Sequence, residues 1–253
     1  MKLYICSMLT AAALVFVAGI ASADIAIGPL TKTIQVSPGE DASVTYKVSN
    51  KGDKPVTIDI SARTWFSLPE NMSIELDQWL KLKKKELTLA PGKEKRFKAQ
   101  VSVPKNAKGE LAAMIYITPK RAKTQTLGTS YGVSLYVFVK GTEQVAPAIG
   151  NAMITEREGI SYLAVPIENK GNVHFRPRVN ATVKVGEFKE SIKLPFGKPI
   201  FGGKTHVFVG RFEKALPKEG ICDIEVFCNY GNTKESVIKK DFKIDLKGVK
   251  EKA

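Results

Sequence analysis

The chain has little of the residue types that metal, redox and disulfide chemistry need. Its 253 residues include three cysteines and two histidines, His174 and His206. Two histidines leave little material for a histidine-rich metal site. So few cysteines rule out a small disulfide scaffold. No Gly-x-x-x-x-Gly-Lys-Ser/Thr, His-Glu-x-x-His or Cys-x-x-Cys run occurs. After residue 23 no apolar run approaches the roughly 18 residues that a membrane span requires. Acidic residues are outnumbered, 25 Asp+Glu against 39 Lys+Arg, a formal charge of +14. The excess is spread along the chain, net +7 over residues 24–145 and +6 over residues 146–253. It forms no concentrated stripe of the kind that binds nucleic acid. Weak attraction to an anionic envelope polymer is the partner such a surface admits. With 43% apolar residues the chain can bury a core and is not disordered by composition.

Met1-Lys2, the apolar run Leu3–Ile20 and Ala21-Ser22-Ala23 read as a signal peptide over residues 1–23, cut before Asp24. An uncleaved anchor is the alternative, and the small-residue box favours cleavage. The exported form keeps Cys222 and Cys228, has no membrane span, and belongs in the periplasm or at the cell surface.

The remaining sequence reads as strands almost throughout. In Glu94–Val103, Phe97, Ala99, Val101 and Val103 alternate with Arg96, Lys98, Gln100 and Ser102, the pattern of a half-buried antiparallel strand. Ala42–Val48 and Val56–Ala62 repeat it. Leu111–Thr118 and Tyr131–Val139 are apolar on both faces, as central strands are. Turn words such as Ser37-Pro38-Gly39 and Ala90-Pro91-Gly92 separate the runs. No convincing amphipathic helix occurs, and Asp77–Lys85 is the best short candidate. The rhythm restarts after Gly141, with strand-like runs at Ile160–Glu168, Phe175–Val185, Phe188–Leu194, His206–Phe212, Ile221–Cys228 and Ser236–Leu246. This predicts an all-β chain of two tandem immunoglobulin-like β-sandwiches, at 24–141 and 148–253, joined by a linker at 142–147. The word Asn-Lys-Gly, at Asn50–Gly52 and again at Asn169–Gly171, follows the second strand of each half.

No residue is assigned a catalytic role. His174, at a turn-to-strand junction, and His206, alternating with Phe208, are read as structural or surface groups. No cofactor or metal is expected. Asn71-Met-Ser73 and Asn180-Ala-Thr182 match a glycosylation acceptor by chance. Cys222 and Cys228, six apart on one strand face, lie roughly 20 Å apart if the strand is regular, beyond disulfide reach. They are expected to be free and buried, with no disulfide. A tight turn joining them in a disulfide is the rival.

Longer words resemble a known family. Pro38-Gly-Glu-Asp-Ala-Ser-Val-Thr-Tyr-Lys-Val-Ser-Asn50, Leu87-Thr-Leu-Ala-Pro-Gly-Lys93 and Gly132-Val-Ser-Leu-Tyr-Val-Phe-Val139 resemble the first domain of the periplasmic pilus-chaperone (PapD-like) superfamily. Glu168-Asn-Lys-Gly-Asn-Val-His-Phe-Arg-Pro177 and Pro217-Lys-Glu-Gly220 look like its Ig-like partner domain. The first half is also similar, more weakly, to the Ig-like region of Gram-positive surface proteins of the WxL-interacting type. The pilus-chaperone resemblance implies a non-enzymatic protein that binds an exported pilin-like or surface subunit by strand addition. The strand donor it implies is Tyr131, Val133, Leu135, Val137 and Val139. That alternating set reads equally well as ordinary core. Lys32 is the implied anchor for a subunit's terminal carboxylate, and Gly132 and Ser134 stand where the family carries a second cation.

Overall fold

The computed structural model describes residues 25–65, 74–120, 129–195, 197–231 and 236–248. The signal segment and Asn71–Ser73 lie outside the described residues.

The first set of strands is β1 (Ile25–Gly28), β2 (Thr31–Val36), β3 (Asp41–Asn50), β4 (Val56–Thr64), β5 (Leu80–Leu82), β6 (Glu86–Leu89), β7 (Glu94–Ser102), β8 (Glu110–Pro119) and β9 (Tyr131–Val139), with one helical turn, α1 (Leu76–Trp79), before β5. They form two sheets, β1-β3-β7-β5 and β2-β9-β8-β4-β6. The N-terminal segment contributes to both. β1 runs antiparallel to β3, and after Pro29 and Leu30 the chain crosses over so that β2 runs parallel to β9. Period-two sequences fold this way because each strand puts one face against the opposing sheet. Phe97, Ala99 and Val101 of β7 meet Ile58, Ile115, Leu135 and Val137 from the other sheet in a single core.

The second set is β10 (Pro147–Ile149), β11 (Met153–Arg157), β12 (Ile160–Asn169), β13 (Arg178–Val185), β14 (Phe188–Leu194), β15 (Thr205–Arg211), β16 (Ile221–Asn229) and β17 (Val237–Asp245). β14-β13-β16-β17 make one sheet. In the other, β12 has β10 and β11 along one edge and β15 along its other edge. Leu163, Val165, Ile167, Phe208, Ile224 and Val226 fill its core. Cys222 and Cys228 lie in this core as free, fully buried thiols on the regular strand β16.

The repeated Asn-Lys-Gly word is one device used twice. The buried Asn50 amide donates to Lys54 O at 2.7 Å and Leu89 O at 3.2 Å, and its oxygen accepts from Gly52 N–H at 3.0 Å. Asn169 donates to Val173 O and Ile200 O, both at 2.8 Å, and accepts from Gly171 N–H at 2.9 Å. Each asparagine ends the first ten-residue strand of its sandwich, β3 or β12, and ties two backbone groups of its turn to a carbonyl from a distant segment, Leu89 or Ile200.

One helix candidate and one strand expectation needed correction. Asp77–Lys85 supplies only the end of the α1 turn before β5, because Trp79 and Leu80 turn inward and Leu80 pairs with Val101. The run expected from Phe175 begins pairing as a strand only at Arg178. Pro177 brings no N–H to a ladder, and Phe175 makes an isolated bridge to Ile200.

Candidate strand-pairing edge and interdomain cleft

β9 lies between β8 and β2, yet its two edges are not covered equally. β8 pairs with it from Tyr131 to Phe138. β2 pairs with it only from Ser134 to Val139. The Ser134 N–H donates to Leu30 O at 2.9 Å, so even-numbered residues of β9 turn their backbone groups toward β2. Two residues earlier, Gly132 turns its N–H and C=O to the same side, where β2 has not yet begun. Gly132 is exposed. The opening is therefore three residues long, Tyr131 to Val133.

The side chains of β9 divide by parity. Val133, Leu135, Val137 and Val139 are 0% exposed within their own sandwich core, and Tyr131 packs half-buried against it. In this structure these groups fill the groove of their own sandwich, the ordinary-core reading of the alternating set. Lys32 stands opposite Leu135 in register, half-buried, on the core-facing side of β2. It has no ion pair among the described residues.

The other face of β9 points at the second sandwich. Tyr136 is buried with Trp65, Ala112 and Phe201 in a cluster separate from both cores, against which Met114 and Phe138 pack. Trp65 lies 5.4 Å from Tyr136 and 5.6 Å from Phe201 between ring centroids, and His174 lies 4.2 Å from Tyr136. Glu110, at the start of β8 and buried, accepts the His174 backbone N–H at 2.7 Å and sits 2.6 Å from its Nδ1. The Arg176 guanidinium donates to Gly197 O at 2.7 Å and to the Tyr136 hydroxyl at 3.2 Å. Burial raises the Tyr136 phenol above its ordinary range, against the opposing pull of Ser134 and Arg176.

Backbone contacts lock the same joint. Asn172 accepts from Gln144 N–H at 2.7 Å and donates to Thr142 O at 2.9 Å. Gly109, at φ +71°, leaves room for it, since a Cβ there would lie 2.4 Å from Asn172 O. Beside the joint, His174, Phe175, Arg176, Arg178 and Tyr230 line a hollow of about 500 Å³. Arg176 has no carboxylate within salt-bridge distance among the described residues, so its charge is available to an anion. Sequence reading missed Arg176, although it stands in the word Glu168–Pro177 that carries the second-domain resemblance.

The run Gly128-Thr129-Ser130-Tyr131-Gly132 spells Gly-x-Ser-x-Gly. A nucleophile elbow needs a strand-to-helix turn. Gly128 lies outside the described residues; from Thr129 the run leads into β9, and the Ser130 hydroxyl is hydrogen-bonded to that of Thr118 at 2.7 Å. His174 is engaged by Glu110, and His206 packs edge-on against Phe208.

No family model matches the sequence, and no curated protein matches it. Solved structures do match. The class 5 fimbriae chaperone CfaA superposes with a TM-score of 0.52 at 16% identity, covering 86% of this chain and 98% of that one. A chain from a chaperone–tip adhesin complex of CFA/I fimbriae biogenesis superposes with a TM-score of 0.51 at 14% identity, covering 87% and 98%. The strand swap at β1–β2, the paired sandwiches and these superpositions together identify the fold of this chain as PapD-like, the two-sandwich fold of fimbrial chaperones.

Proposed function

We propose that this protein is a non-enzymatic, chaperone-like or accessory factor of the periplasm that binds an exported protein subunit of pilus or surface type. Binding adds an extended segment of the subunit to the open edge of β9. The observation that carries the reading is that β9 starts three residues before β2 begins alongside it and, among the described residues, presents the Gly132 N–H and C=O unpaired on a sheet edge. Unpaired edge groups are a template for another strand. The apolar set Val133 to Val139 holds that edge rigid from beneath. Arg176 and Lys32 are the cations for a carboxylate of the bound segment, and Arg176 is the better placed because it already touches Tyr136 of β9. The fold supports this reading, since both superposed structures are named for fimbrial chaperones.

Gly132→Pro tests it. Proline removes the edge N–H without touching the β8 ladder, because Gly132 turns its polar groups the other way. Recovery of exported subunits with the purified variant should fall about fivefold, the loss of one hydrogen bond of about 1 kcal/mol, while its circular dichroism stays that of the wild type. Undiminished recovery overturns strand addition at this edge.

A further inference from the structure

The second sandwich carries its own unpaired strand. Among the described residues β15 pairs with β12 alone. The Phe212 N–H, one residue beyond β15, donates to Ser161 O at 3.0 Å, so even-numbered positions turn their backbone groups toward β12. Thr205, Val207, Val209 and Arg211 turn theirs to the free edge. β14 approaches from the inner face, where a Cβ at Gly210 would lie 2.4 Å from Ile192 Cγ2, and leaves the edge itself open.

The outer face beside this edge is apolar. Val207 is 45% exposed, Val209 49% and Met153 50%. Across the ladder Met153 stands opposite Ala164, Ala164 opposite Val209, and Pro166 opposite Val207. In the flanking rows Tyr162 stands opposite Arg211 and Glu168 opposite Thr205.

We propose that β15 pairs antiparallel with β15 of a second copy of this chain, about a two-fold axis at Phe208, joining two sheets into one. The strand is complementary to itself in that register. Val207 falls opposite the second copy's Val209, and both belong to the parity whose backbone groups face the edge. The apolar row becomes Met153, Ala164, Val209, then Val207 and Pro166 of the copy. In the next row Arg211 and the copy's Glu168 flank a single small residue, Thr205, so opposite charges meet at both ends of the interface. A register shifted by two residues loses this, placing either Arg211 opposite Val207 or Thr205 opposite Val209. A seven-residue ladder is a small interface, so half-association is expected in roughly the 10–100 µM range.

Sedimentation equilibrium of the purified protein from 1 to 500 µM tests the pairing. The wild type should pass from monomer to dimer. Val209→Lys, a change at an exposed position, should remain monomeric with unchanged circular dichroism. Register is tested by mixing a Val207→Cys protein with a Val209→Cys protein under mild oxidation. Directly opposed positions lie about 5.5 Å apart between Cα atoms, within disulfide range. A 207–209 cross-link between chains, mapped by mass spectrometry, is the expected product, since both native cysteines of the exported form are buried. A wild type that stays monomeric to 500 µM, a Val209→Lys dimer, or cross-linking confined to other pairs overturns the proposal.

Discussion

Single side chains in this protein show how polar groups are managed in two tight cores. Asn50 and Asn169 each satisfy three backbone groups, two in their own turn and one from a distant segment. Tyr46 is the contrasting case. It is fully buried, stacked 5.3 Å from Phe97, and its hydroxyl has no hydrogen-bond partner among the described residues. Burying an unpaired hydroxyl is unfavourable by about 1–3 kcal/mol. Tyr46→Phe should therefore raise stability by about 1 kcal/mol, read as a higher urea midpoint with unchanged slope. The thiols give a pH dependence. Burial, reinforced at Cys222 by Asp223, pushes that thiol up to about 11, and burial alone pushes Cys228 up to about 12. In the unfolded chain both ionise near ~8.5. Their contribution to stability is complete below that value and is lost as pH rises toward the folded values, because only the unfolded state then releases its protons. Urea midpoints should fall between about pH 9 and 11, and fall less in a Cys222→Ala/Cys228→Ala variant.

At the scale of elements, alternation was legible wherever one strand face meets water. Glu94–Val103 and Val56–Ala62 read correctly because their charged faces contrast with Phe97 or Ile58. β1, β2, β5, β10 and β11 were not legible, being short strands whose pairing is decided by partners far along the chain. β9 could be placed but not oriented. Val133, Leu135 and Val137 on one face and Tyr136 and Phe138 on the other are all apolar, so periodicity could not say which set fills the protein's own core. Only the pairing with β8 and β2 decides it. The same pairing makes a local prediction about backbone exchange. The Gly132 amide, on the uncovered edge, should exchange with solvent at least a hundredfold faster than the Ser134 amide bonded to Leu30 O, and should slow when a subunit segment is bound. Equal protection in the free protein would mean that the edge is closed.

At the scale of the whole molecule the joint between sandwiches is a third packed cluster. Its members, Trp65, Glu110, Tyr136, His174, Arg176 and Phe201, come from both halves of the chain. No local spacing announces such a set, which is why two-domain organisation could be read from sequence and the joint could not. Glu110 links the halves through two contacts to one residue, so Glu110→Ala should leave the His174 N–H unsatisfied and loosen the joint. Small-angle scattering should show a larger radius of gyration, and Trp65 emission should shift to the red while Trp79, deep in the first core, stays unchanged. An unaltered scattering curve would show that the aromatic contacts alone hold the angle.

The shortness of the β9 opening has a kinetic consequence. Three residues expose the polar groups of one outward-facing position, and each neutral hydrogen bond contributes about 1 kcal/mol net. Two such bonds amount to a dissociation constant far weaker than millimolar once the entropy of docking is counted. Any segment held by that edge alone would depart almost as soon as it arrived. Under the proposed strand addition the edge would therefore act as a site of brief sampling, with the lifetime of a complex set by what else the segment touches while it is there.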